Sequence, residues 1–485
     1  MRQNQSLTGS IDWPLFFVVL LFMGMGIATV YSTAFDPNNP SLFDFSMVYG
    51  RQVMWVGVSL FLGILVFLID SDIYRKFALP IYGVSIALLI IVLFMPSKNG
   101  AHSWLGIGSF GIQPGEFAKI AVAILLARYL SSINVKQQNL QTVLVGNAIL
   151  LFPMALILLQ PDAGTFVVFT AFLFVMYREG ITYDPLLVPL TNGLIFIVLL
   201  PFSTFLNVPK IRLKRTWIGT HFIPILFVTV FLSISTLLLS KETINLSILP
   251  GEDIPGFYGL VFFLFVFCAV GYGLLRFILS KRDRNRALVI AIIGFVLSTG
   301  ISAGVNYGFG SLQPHQKVRI ELFLGIIDEK LADEAKDGED YNRNRAIAAV
   351  GSGGLTGRGY KNSMLANTRT AHVPESETDF IFCPFAEEWG FLGSIVLVVM
   401  YLFMMLRIVI IAERQRSRFN RVYAYSVAMI LFYHFAINIG MSIEFAPVIG
   451  IPLPFFSYGG SSMMSFSMML FILLKLDSQR KDVLN

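Results

Sequence analysis

Long apolar runs alternate with short polar stretches along almost the entire chain. Each run approaches the ~20 residues that an α-helix needs to cross a bilayer, so the pattern predicts an all-α fold of membrane-spanning helices. A long polar passage at 306–388 separates the last three runs from the others. The runs lie at about 15–31, 52–70, 77–95, 115–131, 143–159, 163–177, 187–206, 219–240, 257–280, 287–305, 389–409, 423–446 and 458–476.

Basic residues between the apolar runs predict how the helices are oriented. Short cytoplasmic loops carry an excess of Lys and Arg. The N-terminal basic residues fall on alternate loops, at Arg75, Lys76, Arg128, Lys136 and Arg178. We therefore expect these loops and both termini in the cytoplasm. The first run lacks a clear cleavage site, so it is predicted to be a retained helix rather than a signal peptide.

The four apolar runs between 182 and 306 do not fit four crossings. The basic clusters Lys210–Arg215 and Lys281–Arg286 should both face the cytoplasm, and four crossings would place the first cluster outside. The run at 187–206 is interrupted by Pro189 and Pro201, so it is predicted to be re-entrant or to lie on the membrane surface. About twelve crossings remain. The predicted divisions are 1–181 (six helices), 182–286 (a hairpin and the re-entrant segment), 287–305 (one helix), 306–388 (an outward-facing loop) and 389–485 (three helices).

Composition supports an integral membrane protein and excludes other classes. Hydrophobic residues make up 55% of the chain and charged residues 14%, which is more apolar surface than one soluble domain can bury. The net charge of +6 comes from basic residues in short loops, where they act as orientation signals, so no nucleic-acid partner is expected. Cys268 and Cys383 lie far apart in apolar surroundings, and neither a disulfide framework nor a thiolate metal site is indicated.

Two motifs place acidic or basic side chains at the ends of predicted spans. In QPGEFAKIAV, Glu116 and Lys119 are three residues apart at the start of an apolar helix, where they share a helix face. Ionisable groups in a membrane span are costly, so a functional role is the first hypothesis and a structural ion pair the alternative. In QPDAGT, Asp162 lies between two spans. Its alternative role is a turn and a helix cap.

The polar stretch 342–390 is the strongest candidate for a site at the membrane surface. It carries several glycines together with the basic residues Arg343, Arg345, Arg358, Lys361 and Arg369. Mobile backbone amides and positive charge suit a phosphate group. Asp379 precedes the apolar Phe380, and partial desolvation of such a carboxylate raises its pKa towards that of a general base. The alternatives are a solvated loop and, for Asp379, an N-cap of the next helix.

A fourth motif, GIPLPFFSYGGSS, joins the last two predicted spans. Prolines at 447, 452 and 454 break one span. Ser457, Gly459, Gly460 and Ser461 lead into the next. Backbone amides at a glycine-rich helix start bind anions. Close helix packing through small residues is the equal alternative.

Together these motifs resemble the shape, elongation, division and sporulation (SEDS) family, which includes RodA, FtsW and SpoVE. The resemblance rests on IDWP, QPGEFAKIAV, QPDAGT, AVGSGGLTGRG, PESETDFIF with AEEWGFLGS, and GIPLPFFSYGGSS. It implies a core of ten membrane helices plus an extra pair here. It also implies that Asp379 is the essential aspartate of the periplasmic loop, and that Glu116, Lys119 and Asp162 are functional. The chain departs from the family pattern at QPGE, often QPSE, and at Glu377, often His.

The family resemblance implies a peptidoglycan glycosyltransferase of the inner membrane that polymerises lipid II. Asp379 would deprotonate the 4-hydroxyl of the acceptor sugar, which attacks the anomeric carbon of the donor. The expected pyrophosphate ligands are Arg343, Arg345, Arg358, Arg369 and Lys119. No cofactor is required by the motifs, and a divalent cation (Mg or Mn) is left open.

Several partners and alternatives follow from the same resemblance. The expected partners are lipid II, the nascent glycan strand, a class B penicillin-binding protein and membrane proteins of the elongation complex. A RodA-like elongation role is favoured over an FtsW-like division role. A lipid II flippase would share the buried charges but would not need a carboxylate in an outer loop. A non-catalytic scaffold would tolerate loss of Asp379.

Overall fold

The computed structural model describes residues 11–38, 40–96, 102–107, 110–132, 140–179, 339–367 and 373–480, with scattered positions between 243 and 317. The chain divides into two compact units, residues 1–187 with 336–485 and residues 188–335. In the second unit the described backbone includes the two-residue strands β3 (Thr243–Ile244) and β4 (Ile254–Pro255), which pair antiparallel. The predictions for 187–206, 219–240, 257–280 and 287–305, including the re-entrant segment, lie outside the described residues.

The first unit is helical, as predicted. A short antiparallel hairpin, β1 (Leu105–Ile107) and β2 (Phe110–Ile112), precedes α5. The helices are α1 (Trp13–Thr33), α2 (Val48–Leu68), α3 (Ser71–Lys76), α4 (Ala78–Val92), α5 (Pro114–Leu130), α6 (Leu140–Leu159), α7 (Ala163–Phe169), α8 (Ala171–Arg178), α9 (Glu339–Ser352), α10 (Phe382–Glu413), α11 (Arg418–Ser442) and α12 (Gly460–Ser478).

Among the described residues, six helices are long and apolar enough to cross a membrane: α1, α2, α6, α10, α11 and α12. Helix α4 and the pair α7–α8 are shorter apolar segments. Helix α5 covers the predicted span at 115–131 but carries Glu116, Lys119 and Arg128. The all-α membrane fold is therefore confirmed, whereas the predicted total of about twelve crossings stays a prediction.

The core of the first unit lies around α5, α11 and α12. Helix α5 packs on α4 and α11, α2 packs along α12, and α10 packs along α11. Most residues of α11 and α12 are buried, whereas α1 and α2 leave large apolar side chains such as Phe17 and Phe61 exposed. This distribution is the one expected when outer helices face lipid and inner helices face one another.

Helix α10 begins at Phe382, earlier than the predicted span at 389–409, and its backbone turns sharply at Gly390. Gly390 has φ 66°, a conformation that favours glycine. The turn frees backbone groups that pair with the glycine-rich loop. Arg358 N donates to Glu387 O at 3.0 Å, and Phe391 N donates to Gly354 O at 2.9 Å.

Polar contacts join α1 and α10 at both ends, so the two helices run antiparallel. The Asp12 carboxylate caps the start of α1 and binds Arg407 Nη2 of α10 at 2.6 Å. At the other end, the Ser32 hydroxyl of α1 donates to the Glu388 carboxylate of α10. We call the first the Asp12 end of the bundle and the second the Asp379 end, because Asp379 lies three residues before α10.

Candidate active site

Asp379 lies in the turn that precedes α10. In this turn the backbone N–H groups of Thr378 and Phe380 both donate to Glu375 O, at 3.1 and 3.2 Å. The N-cap of α10 is Ile381, and that cap has no side-chain hydrogen bond. The alternative role of Asp379 as the cap of this helix is therefore not what the structure shows.

The Asp379 carboxylate packs directly against the backbone of Gly450. A Cβ atom added to Gly450 would lie 3.0 Å from Asp379 Oδ2, and Gly450 has φ 66°. A side chain at position 450 would therefore be strained and would press on the carboxylate. The segment 449–452, which follows α11, therefore borders the Asp379 carboxylate, and we call this segment the Gly450 wall.

Asn438 of α11 ties the Asp379 turn to that wall. Its Nδ2 donates to Asp379 O and to Ile451 O, both at 2.7 Å. The side chain is fully buried. Asn438 was not among the predicted site residues, although a polar side chain in the predicted span at 423–446 is a signal of function.

Glu116 and Lys119 form the ion pair that their spacing predicts. Lys119 Nζ lies 2.9 Å from each Glu116 oxygen and 2.8 Å from His434 Nε2. The Lys119 side chain is completely buried, and its ammonium also faces the ring of Phe466. The ammonium has three N–H donors, and Glu116 and His434 occupy all of them.

His434 connects this ion pair to the wall beside Asp379. Its Nδ1 lies 3.2 Å from Pro452 O, so the imidazole donates there and accepts from Lys119. His434 and Asn438 are four residues apart and share one face of α11. They bind the consecutive residues Ile451 and Pro452, next to Gly450. His434, like Asn438, was not predicted from the sequence because both lie inside an apolar run.

A third residue not predicted from the sequence, Arg51 of α2, lies near the Asp379 turn. Its guanidinium is 6.0 Å from the centre of the Tyr458 ring, and Tyr458 N donates to Glu377 O at 2.9 Å. Arg51 Nε is buried and has no hydrogen-bond partner among the described residues. Burial raises the pKa of the Glu377 carboxyl above its ordinary value. Glu377 and Asp379 are the two carboxylates of this turn that border the site.

Asp162 acts as the N-cap of α7. Its carboxylate accepts from Thr165 N and from the Thr165 hydroxyl, both at 2.9 Å. Gln113 Nε2 donates to it at 2.8 Å. These contacts match the alternative that the sequence left open, a helix cap, and they leave Asp162 half-buried.

The motif before α12 also makes structural contacts. The Trp55 indole lies so close to Gly460 that a Cβ there would come within 2.7 Å of the ring. Ser461 Oγ accepts from Gln113 N at 3.0 Å, and Ser457 Oγ accepts from Leu453 N at 2.8 Å. Gly459 is the N-cap of α12. The hydroxyls and the small residues thus support close packing, the second of the two predicted roles.

The glycine-rich loop packs against the break in α10. A Cβ at Gly353 would lie 2.2 Å from Ala386 O, and one at Gly357 would lie 2.1 Å from Glu388 O. Arg358 is partly exposed and lies 3.7 Å from the buried Glu387 carboxylate. The absence of a side chain at Gly353 and Gly357 therefore lets the backbone of the loop contact the backbone of α10 directly.

The remaining predicted basic residues are placed only in part. Arg345 is half-buried on α9. The Arg343 side chain and all of Arg369 lie outside the described residues. Lys361 Nζ faces the rings of Phe35 and Tyr31 at 4.0 and 4.5 Å, so its charge is held against the end of α1.

A divalent cation was left open by the motifs. Within the described ranges, no three His, Cys, Asp or Glu side chains gather as metal ligands. Mg²⁺ commonly binds through one or two carboxylates together with substrate phosphates, so the divalent cation stays open.

Comparisons with known proteins agree with this architecture. The chain is 28% identical to the peptidoglycan glycosyltransferase RodA of Treponema pallidum (strain Nichols) over 471 residues, 97% of this chain and 98% of the relative. It is 25% identical to the peptidoglycan glycosyltransferase MrdB of Escherichia coli (strain K12), over 89% of this chain and 86% of that protein.

Solved structures show the same fold. The crystal structure of the rod shape determining protein RodA of Thermus thermophilus matches with a TM-score of 0.54 and 20% identity, over 97% of this chain and 98% of that one. A chain of a peptidoglycan synthase complex matches with a TM-score of 0.60 and 21% identity, over the same shares. The profile of the FtsW/RodA/SpoVE family, described as cell cycle proteins, matches residues 12–223 and 305–482. This chain therefore belongs to the FtsW/RodA/SpoVE family of cell cycle proteins.

Proposed function

We propose that this protein is a peptidoglycan glycosyltransferase that polymerises lipid II, with Asp379 as the general base. Two full-length relatives carry the name peptidoglycan glycosyltransferase. The observation that carries the residue assignment is the placement of Asp379, whose carboxylate packs against Gly450 and does not cap the helix that follows. A carboxylate held by its backbone at a fixed position can accept a proton without first breaking a capping bond.

In the proposed reaction, Asp379 takes the proton from the acceptor 4-hydroxyl. The hydroxyl oxygen forms a bond to the anomeric carbon of the donor sugar, and the bond from that carbon to the pyrophosphate breaks. The electron pair leaves with the polyprenyl pyrophosphate. General-base help of this kind contributes ~10²-fold to 10⁴-fold in rate.

Positive charge is needed where the pyrophosphate leaves. Among the proposed ligands, Lys119 is unsuited to this role because Glu116 and His434 occupy all its donors. Arg51 is the better candidate, since its buried Nε has no partner among the described residues. The other two proposed ligands whose side chains the structure describes are Arg345, which is half-buried on α9, and Arg358, which is partly exposed beside Glu387.

We place the Asp379 end in the periplasm and the Asp12 end in the cytoplasm. Basic residues gather at the Asp12 end, where Arg407, Arg414 and Arg480 bind buried carboxylates. The positive-inside rule favours the cytoplasm for such an end. An impermeant thiol reagent should label Glu375→Cys but not Arg416→Cys in cells expressing a chain without Cys268 and Cys383. Labelling of Arg416→Cys alone would show that the orientation is the opposite one, with the Asp12 end in the periplasm.

We further propose a RodA-like role in elongation, together with a class B penicillin-binding protein that cross-links the strands. A structural match belongs to a complex described as coordinating polymerisation and crosslinking. This is the support for a transpeptidase partner, and the first relative's RodA name is the support for elongation.

The decisive experiment is a polymerisation assay with purified full-length protein and labelled lipid II, with and without a cognate class B penicillin-binding protein. We expect a ladder of glycan strands that becomes stronger with the partner. Movement of lipid II across a vesicle bilayer without polymer would indicate a flippase. Neither product, under conditions in which the partner protein binds, would indicate a scaffold.

A further inference from the structure

Asn438 is a fully buried amide near the C-terminal end of α11. Both of its close contacts are made by Nδ2, which donates to Asp379 O and Ile451 O at 2.7 Å each. The two acceptors belong to different segments, the turn before α10 and the segment after α11. A single side chain therefore fixes the separation of these two segments.

The orientation of the amide follows from chemistry. Both neighbours are carbonyl oxygens, which accept hydrogen bonds, so the nitrogen must face them. The opposite atom, Asn438 Oδ1, is buried and has no hydrogen-bond partner among the described residues. Buried polar atoms without partners lower stability and are rare in folded proteins. The two hydrogen bonds that Asn438 Nδ2 donates therefore account for the presence of an amide at this buried position.

The two held segments surround the Asp379 carboxylate. One acceptor is the main-chain carbonyl of Asp379 itself. The other is Ile451, whose neighbour Gly450 packs against Asp379 Oδ2. The next residue, Pro452, is held by His434, which in turn contacts Lys119. The backbone behind the carboxylate and the wall in front of it are thus both tied to one face of α11.

We propose that Asn438 is a positioning residue for Asp379, acting through the turn and the Gly450 wall without touching substrate. The inference rests on the proposed function of Asp379 as base. A general base must be held within a narrow distance of the hydroxyl, and a displacement of about 1 Å can cost 10²-fold in rate. Loss of the bridge should therefore lower turnover while leaving the affinity for lipid II nearly unchanged.

The test is Asn438→Asp in the full-length protein with its transpeptidase partner, with Asn420→Asp as the matched control. Asn420 lies at the other end of α11, is buried, and also donates Nδ2 to two acceptors, Gln415 Oε1 at 3.2 Å and Leu476 O at 3.3 Å. Both changes replace a donor by an oxygen that repels its neighbours. The control therefore reports the structural cost of such a change on this helix.

We expect Asn438→Asp to lower kcat about 10-fold to 100-fold per folded molecule, with KM for lipid II changed less than about 3-fold. Asn420→Asp should lower the thermal unfolding temperature and leave kcat unchanged. Asn438→Ser, which keeps one donor, should fall between the parent and Asn438→Asp, and it serves as the main variant if the aspartate variant does not fold.

The possible failures are distinguishable. Normal kcat in Asn438→Asp or Asn438→Ser, with Asp379→Asn inactive, would overturn the positioning role and keep Asp379 as base. An equal loss of kcat in Asn420→Asp would also overturn it, since the effect would then be structural. A parent protein that makes no polymer, or an Asp379→Asn variant with normal turnover, would instead overturn the proposed function.

Discussion

The two ends of the helical bundle hold buried carboxylates in different ways. At the Asp12 end each carboxylate faces guanidinium groups. Asp12 binds Arg407 at 2.6 Å and Arg414 at 3.0 Å, and Asp477 binds Arg414 and Arg480. The negative charges are compensated within the protein, which is the pattern of an ionic cluster that holds helix ends together.

At the Asp379 end, neutral donors make most of the contacts. The Glu387 carboxylate accepts from the backbone N–H groups of residues 364–366, at 2.9 to 3.2 Å. Glu388 accepts from the Ser32 hydroxyl and from Lys361 N. Neutral donors fix a carboxylate without cancelling its charge, and Arg51 Nε lacks a partner among the described residues. The Asp379 end therefore holds its buried carboxylates mainly with neutral donors and has an Arg51 Nε without a partner in the described part of the chain, whereas at the Asp12 end the carboxylates are paired with guanidinium groups.

The largest effect that would sharpen this comparison is expected for Asp379→Asn. Asn has nearly the same shape as Asp but cannot take up the proton of the acceptor hydroxyl. Polymerisation should fall ~10²-fold to 10⁴-fold, which corresponds to about 3–6 kcal/mol in the activation barrier. Thermal stability should stay close to that of the parent. The measurement is the initial rate of lipid II polymerisation per folded molecule.

Glu375→Gln is the matched control for that variant. Glu375 lies in the same turn with an exposed side chain, so its replacement removes one nearby negative charge without touching the site. Its rate should equal that of the parent. A rate for Asp379→Asn close to the parent rate would refute the base assignment and make Glu377 the next residue to examine.

The next largest effect is expected for Glu116→Gln. Removing one member of a buried ion pair leaves the other charge uncompensated and typically costs about 3–5 kcal/mol of stability. Lys119 would also pull on His434, which holds Pro452 beside the Gly450 wall. We therefore expect a lower unfolding temperature and, in addition, a turnover at least about 10-fold lower per folded molecule. A normal turnover in the folded fraction would show that the pair is only structural.

The sequence predicted the fold well because the thickness of the bilayer sets the length of membrane helices, and apolar runs of that length mark them in the sequence. The runs at 115–131 and 143–159, for example, correspond to α5 and α6. Spacing also predicted the ion pair between Glu116 and Lys119, since residues three apart share a helix face. The start of α10 at Phe382 was missed because the turn at Gly390 depends on contacts with the glycine-rich loop, which no local pattern reveals.

The site was predicted less completely because its remaining parts come from distant segments. His434 and Asn438 look like isolated polar residues in an apolar run until α11 is packed against the segment 449–452. Asp162 and Ser461 are predicted to bind substrate, and the structure shows both bound to Gln113; their role toward substrate stays a prediction. The choice between a ligand and a helix cap depends on which neighbours are present, and only the folded chain supplies them.

Asp477→Asn tests the other side of the comparison. The carboxylate binds Arg414, Arg480 and Gln415 Nε2, so its loss removes the carboxylate partner of Arg480 and leaves Arg414 with Asp12 alone. The Arg414 and Arg480 side chains are 29% and 28% exposed, and water compensates part of their charge. We expect a loss of about 1–3 kcal/mol in stability and no change in turnover per folded molecule. A selective loss of turnover would show that the Asp12 end also serves the reaction.

The smallest effect is expected for Glu377→Gln, and it depends on pH. Burial raises the pKa of the Glu377 carboxyl above its ordinary value of 4.5, because the ionised form is poorly hydrated in the folded protein. Below the ordinary pKa the carboxyl is neutral in both the folded and the unfolded chain, so it costs nothing. As the pH rises through the folded pKa, ionisation of the buried group destabilises the parent but not the Gln variant.

The unfolding temperature of Glu377→Gln should therefore rise relative to the parent as the pH is raised from about 4 to about 7, by less than the Asp477→Asn effect. Its polymerisation rate should fall far less than that of Asp379→Asn, because the backbone carbonyl of residue 377, not its carboxylate, holds Tyr458. Thermal unfolding in detergent across the pH range measures the first quantity, and the lipid II assay measures the second. A rate as low as that of Asp379→Asn would mean that Glu377 supplies or shares the base, and that Glu377 and Asp379 together, rather than Asp379 alone, distinguish the Asp379 end.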